Sequence, residues 1–284
     1  ESVPPSECPG NNAVLDAAGK PLGGVKYKGR IQASSRHTYD GLVVLPNEDR
    51  MICVQRVGEI GGSYLDGKVY RECYKGTGMW IFDPVKREWS VSRKSGLALN
   101  HVGAAVWPQE PDWIYFYSQR MEFRAVNWKT EEVRKLPRPA RGMGSSYAGL
   151  QYWPEGEAMV AFPRGTKAAP ANKYMCTFDL KTRTWSRAEV KGEAPNTYDI
   201  NAVYDSRCRV FVCFQGEHFH YFVPATKTWH KVKAEAARVV GVRGVRHRHA
   251  YDPVNNVHLI VGRRWKTVAF KLAEKPESLL AAAK

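Results

Sequence analysis

A pattern of about ten residues recurs along the chain: a short apolar strand, an acidic or amide residue that opens a polar turn, and an aromatic or β-branched residue that closes it. Its fullest copy reads Trp80-Ile81-Phe82-Asp83-Pro84-Val85-Lys86-Arg87-Glu88-Trp89. It returns at residues 125–133, 177–185 and 222–229, and the closing Trp or Val always lies six positions after Asp83, Asn127, Asp179 or Val223. That spacing suits a hairpin with a polar turn. The copies stand roughly 45 to 50 residues apart, which is the period of propeller blades rather than of helical arrays.

A second motif precedes each copy. It reads Tyr39-Asp40-Gly41-Leu42-Val43-Val44-Leu45-Pro46, then His101-Val102-Gly103-Ala104-Ala105-Val106-Trp107-Pro108, Tyr147-Ala148-Gly149-Leu150-Gln151-Tyr152-Trp153-Pro154 and Tyr198-Asp199-Ile200-Asn201-Ala202-Val203-Tyr204-Asp205, with a shorter copy at residues 247–253. Each is followed by a turn and an apolar strand, the last being His258-Leu259-Ile260-Val261-Gly262. Short strands separated by Gly, Pro and Asp turns, with no helical period, predict an all-β protein. Five copies of a four-strand unit predict a single β-propeller of five four-stranded blades, with six as the alternative.

On these residues the sequence resembles the Kelch repeat family. Tyr251-Asp252-Pro253, Val261-Gly262, Phe178-Asp179-Leu180 and Thr184-Trp185 are instances of its unit, and the resemblance covers residues 37–272. The double Gly of a good Kelch repeat is absent from the second strands. What the resemblance implies is therefore a fold and not an activity.

Three segments follow from the repeat: an N-terminal extension at 1–36, the propeller at 37–272 and a tail at 273–284. The last copy has Glu277 where its closing Trp should stand. A propeller removes exposed edges by closing its ring, so a segment near Val25-Lys26-Tyr27-Lys28 or Asn12-Ala13-Val14-Leu15 is expected to supply the missing strand, or residues 1–36 to form a divergent sixth blade. Residues 58–75 are too many for a hairpin turn and read as a Gly- and Tyr-rich loop over one face. The six cysteines are too sparse for a disulfide scaffold and include no CxxC pair, so no zinc site is expected. Cys208 and Cys213, five apart on an apparent strand, should face opposite sides; Cys53 and Cys73 are either a cross-strand disulfide or buried thiols.

Composition enters at the question of partners. Among 284 residues, 43 Lys+Arg stand against 28 Asp+Glu, a net charge of +15. Such a field attracts polyanions and repels basic partners. No apolar run reaches the roughly 20 residues of a membrane-spanning helix. The sequence reads as a soluble, monomeric, secreted or periplasmic protein with no membrane role.

Residues at the start of the inner strands of a propeller converge on its central channel. Two positions before Gly41, Gly103, Gly149, Ile200 and His247 stand Tyr39, His101, Tyr147, Tyr198 and Val245. Aromatic plugging of the channel is one reading of this column; a binding funnel is the other. Around it lie His37, Asp40, Asn196, Asp199, Asn201 and the run Arg238 to His249, which holds Arg243, Arg246, Arg248 and His249. Alternation of Arg with Val or His puts the arginines on one face of an extended chain. His, Tyr, Arg and Asn with few carboxylates suit a sugar carboxylate or sulfate. His258, inside an apolar strand, reads as a satisfied structural histidine.

Several enzyme classes are disfavoured by missing signatures. There is no GxSxG elbow, GxxxxGK[ST] phosphate loop or HExxH. Glycoside hydrolysis needs two opposed carboxylates, and Asp40 and Asp199 lie in nonadjacent blades. A galactose-oxidase type of copper site needs a crosslinked cysteine, and none of the six lies at an inner-strand start. The residue set is similar to that of propeller-fold polysaccharide lyases of the ulvan type. That resemblance implies β-elimination from a uronate, which His, Tyr and Arg can carry without metal or cofactor. By their position at the inner-strand starts, His101 and Tyr147 are expected as the acid/base pair, with His37 in support. Tyr39, Tyr198, Asn201, Arg243, Arg246, Arg248 and His249 would bind the substrate. The alternative is a non-catalytic Kelch-type propeller that binds a protein or an anionic glycan. A nucleic-acid partner is disfavoured, because the basic residues are spread among blades and no recognised motif is present.

Overall fold

In a computed structural model of the chain, the described residues are 13–27, 29–33, 41–45, 47–54, 76–99, 102–118, 122–139, 149–162, 173–195, 202–215, 218–233, 248–261 and 267–272. They form two compact units, residues 1–136 and 137–284.

The first unit opens with a three-stranded sheet of β1 (Ala13–Leu15), β2 (Pro21–Tyr27) and β3 (Arg30–Ala33). Blade 1 follows as β4 (Leu42–Leu45), β5 (Arg50–Cys53), β6 (Trp80–Asp83) and β7 (Glu88–Val91). Blade 2 is β8 (Val102–Val106), β9 (Trp113–Ser118), β10 (Phe123–Asn127) and β11 (Val133–Lys135). In both blades every strand pairs antiparallel with the next. Period-2 alternation sends one set of side chains to each face. Val43, Leu45 and Ile52 of blade 1 pack on Val102, Ala104, Ile114 and Phe116 of blade 2. On blade 1's other face, Cys53 and Trp80 meet Val14 and Leu22 of the N-terminal sheet, and Trp80 Nε1 donates to Leu22 O at 2.7 Å.

The second unit holds blade 3, of β12 (Leu150–Trp153), β13 (Ala158–Ala161), β14 (Tyr174–Asp179) and β15 (Trp185–Glu189). After β16 (Lys191–Gly192) comes blade 4, of β17 (Val203–Asp205), β18 (Val210–Gln215), β19 (His218–Val223) and β20 (Thr228–Lys233). Blade 5 shows β21 (Arg248–Asp252), β22 (Val257–Val261) and β23 (Thr267–Phe270). The sequence reading carried no element at β16. It leaves the end of β15 and runs parallel to β20, pairing Lys191 with Thr228 and Gly192 with Trp229. The approach is close enough to demand glycine: Gly192 has φ +82°, and a Cβ there would lie 2.0 Å from Trp229 O.

The expected closing strand is not where the sequence reading put it. Val25, Lys26 and Tyr27 pair with Gln32, Ile31 and Arg30, and Ala13 and Leu15 pair with Val25 and Pro21, so both proposed segments are used within the N-terminal sheet. Among the described residues, blade 5 has three strands. The reason is local. Asp16 Oδ1 accepts the amides of Ala18 and Lys20 in the turn that folds β1 back onto β2. Residues 58–75 and Cys73, and with it any Cys53–Cys73 bond, lie outside the described residues. Cys208 sits in the β17–β18 turn rather than on a strand, in the blade 4 cluster that faces blade 5, while Cys213 belongs to the cluster that faces blade 3.

The hairpin turns share one design. Asp83, Asn127, Asp179 and Asp252 each accept two turn amides on Oδ1, from the residues two and three ahead. One position further on, the chain takes a left-handed conformation at Arg87, Glu131, Arg183 and Asn256, as it does at Lys227, Arg209, Glu157 and Asp49 in the matching turns. These eight are the non-glycine residues of positive φ among the described residues. The six-residue spacing in the sequence is this turn.

Candidate functional site

Asp205 ends β17 and opens a turn of the same kind, but its carboxylate is fully buried. Oδ1 accepts the Cys208 amide at 2.8 Å, which leaves Oδ2 for blade 5, where His258 Nε2 lies 2.9 Å away. His258 comes from β22, where alternation buries it with Ile260 while Leu259 faces outward. Its other nitrogen, Nδ1, is 2.9 Å from Nε2 of His249, the second residue of β21. His249 is half-buried. A hydrogen-bonded chain therefore runs from Asp205 through His258 to His249, with all three members inside the second unit.

Rings enclose the chain. Phe270 stacks on His258 with centroids 4.9 Å apart, Tyr251 lies 4.7 Å away, and Phe214 meets His249 edge-on at 5.2 Å. Removing water in this way strengthens each charge interaction inside and makes any unpaired charge costly. Burial pushes the Asp205 carboxyl up, but the His258 and Cys208 hydrogen bonds outweigh it and hold the group below the usual carboxylate range. Burial, reinforced by the neighbouring Asp205 charge, pushes the Tyr251 hydroxyl up to about 12, so it stays protonated and donates to Asn256 Oδ1 at 3.0 Å.

An ionised Asp205 fixes the protons on both rings. It can only accept, so His258 donates through Nε2 and keeps a lone pair on Nδ1. That lone pair accepts from His249 Nε2–H. The logic matches a carboxylate that orients a catalytic histidine, lengthened here by one imidazole.

Of the residues singled out in the sequence, His37, Tyr39, His101, Tyr147, Tyr198, Asn201, Arg243 and Arg246 lie outside the described residues. Arg248 opens β21 by its backbone. His249 is the one whose side chain is placed, and it leads into a network that the sequence reading did not assemble. His258 is satisfied at both nitrogens, as expected of a structural histidine, although its partners are an acid and a second histidine. The signal available in the sequence was a histidine on the buried register of an apolar strand; Asp205 carried none, because four other turns open with the same kind of residue. Among the described residues no three His, Cys, Asp or Glu side chains converge as a metal site requires, and no helix is long and apolar enough to cross a membrane.

The repeated antiparallel sheets define the chain as an all-β, five-bladed β-propeller protein. No protein family and no curated protein matches it. Among solved structures, one similar in fold is a structural-genomics protein of unknown function from Bacteroides thetaiotaomicron, with a TM-score of 0.53 and 10% sequence identity over 80% of this chain. The match spans 57% of that protein's length. At that identity the likeness concerns the fold alone.

Proposed function

We propose that the protein binds an acidic, uronate-containing polysaccharide and cleaves it by β-elimination at a His, Tyr and Arg site. The observation that carries this reading is the junction at the start of β21. The arginine-rich run 238–248 leads straight into His249, whose proton position is governed by a buried carboxylate. Elimination needs the uronate carboxylate neutralised and the C5 proton removed, and arginine, histidine and tyrosine side chains are the residue types that serve these needs. The net charge of +15 supports the same class of partner. In this reading the blades are of Kelch type, Tyr147 or His101 protonates the leaving oxygen, and Arg243, Arg246 and Arg248 hold the carboxylate. The setting is secreted or periplasmic, where such polymers are met.

Incubation with pectate, alginate, ulvan and glycosaminoglycans, read as absorbance of unsaturated products, tests the reaction. Affinity electrophoresis on the same polymers tests binding. Product on at least one uronate polymer supports the proposal. Retardation without product leaves an anionic-glycan-binding propeller, and neither effect on any polymer overturns the reading.

A further inference from the structure

We propose that residues 190–194, a strap from the end of blade 3 onto the outer edge of blade 4, form an acid-released latch held shut by His220. The latch does not rest on the elimination reading, which uses none of these residues.

The strap is attached lightly. Val190 and Ala194 pack on the cluster between blades 3 and 4, while Lys191, Gly192 and Glu193 between them are exposed. Lys191 N–H donates to Lys227 O at 2.9 Å and Glu193 N–H to Trp229 O at 3.1 Å, which ties the strap to β20. A further tie is a side chain. Glu193 O lies 2.9 Å from Nδ1 of His220, and because a carbonyl can only accept, Nδ1 carries the hydrogen. A segment with little buried apolar surface and few backbone bonds is the kind that opens ahead of its domain.

That tautomer leaves His220 with a bare Nε2. The atom is fully buried and has no hydrogen-bond partner among the described residues, so a proton placed there would be a charged donor with nothing to accept it. Burial holds the imidazole below the usual histidine range while the strap is closed, although the Glu193 carbonyl opposes the shift. Lys231, directly across on β20, and His218, two residues earlier on β19, reinforce it, and the exposed Glu193 carboxylate opposes it. From β18 comes the Cys213 thiol, which burial pushes up and keeps neutral. Blade 3 adds apolar Val160, Phe162 and Met175 to the same interface.

When the strap lifts, Glu193 O leaves Nδ1 and the ring meets water, so it takes up a proton at the ordinary histidine value of about 6.5. The open form is favoured as pH falls below that value and the closed form above it. Lifting leaves the carbonyls of Lys227 and Trp229 on a bare strand edge. Acid thereby changes the surface that blade 4 presents.

Native-state hydrogen exchange, followed by NMR at pH 7.5 and 5.5 and expressed as protection factors, tests the latch. At both pH values the amides of Lys191 and Glu193 should be less protected than that of Val212 in the middle of β18, which opens only with its blade. From pH 7.5 to 5.5 the strap protection should fall about five- to tenfold, the factor set by a histidine that titrates at about 6.5 when open and lower when closed. His220→Asn, which retains a donor for Glu193 O but cannot titrate, should remove most of that fall, whereas His218→Gln should keep it. Strap amides as protected as Val212, strap protection in the wild type that does not change with pH, or a fall that His220→Asn leaves intact would each overturn the proposal. The first two are read on the wild type, so the test decides even if the variant folds poorly.

Discussion

At the scale of single residues, the buried polar groups of blades 4 and 5 set the sharpest expectations. Asp205→Ala removes one partner of a fully buried pair and strands the Cys208 amide, and should cost about 3–5 kcal/mol, read as a shift in urea midpoint. Asp205→Asn should cost less, because one acceptor survives. His220 offers a separate acid sensor. Burial, opposed by its contact with Glu193 O at 2.9 Å and aided by Lys231 and His218, holds its imidazole below the usual histidine range. A depressed folded-state pKa means that the unfolded chain takes up protons first. The stability this contributes is complete above about pH 6.5 and is lost as pH falls through the folded value. Between pH 7.5 and 5.5 the wild type should lose more stability than His220→Gln, measured by denaturant midpoint in each. Little of this was legible in the sequence. The alternation around His258 foretold its burial, but its partner Asp205 is 53 residues away and looked like any other turn aspartate.

The hairpin is the element that the sequence specified best. The six-residue interval from Asp83 to Trp89, Asn127 to Val133 and Asp179 to Trp185 encoded a turn whose first side chain satisfies two amides. The left-handed residue inside it was not legible, because Arg, Glu and Lys occupy positions where glycine would have announced the conformation. A left-handed L-residue costs roughly 1–2 kcal/mol, part of which glycine gives back through its freer unfolded chain. Exposed Arg183, with φ 56°, is the clean site. Arg183→Gly should raise stability by up to about 1 kcal/mol, while Arg183→Val should lower it, since a β-branched residue resists that conformation most. At β16 the sign reverses. Gly192→Ala drives a Cβ into Trp229 O and should open the parallel pairing, destabilising by more than about 1 kcal/mol in thermal melts.

For the whole molecule, the repeat period was enough to reach an all-β propeller of five blades, since a fixed interval between equivalent strands fixes the number of units. It was not enough to place the N-terminal strands. Their alternation marked them as strands, but pairing is decided by turn geometry and by which face is left apolar, and the Asp16 turn folds them into a sheet of their own against Trp80. The candidate site was legible only in part: the basic run and His249 stood out by composition, while the acid and the second histidine are brought in by two other strands. Net charge acts at this scale too. Association with any polyanion should weaken as salt shortens the screening length from about 10 Å at 0.1 M to about 3 Å at 1 M, and elution from an anionic-glycan column over that range checks it. The most direct test of the proposed function is the mass of the products formed from a uronate polymer. Elimination predicts fragments that sum to the substrate with no water added and carry a C4=C5 bond at the new non-reducing end. Fragments that have gained water, or no fragments from any uronate polymer, would contradict it.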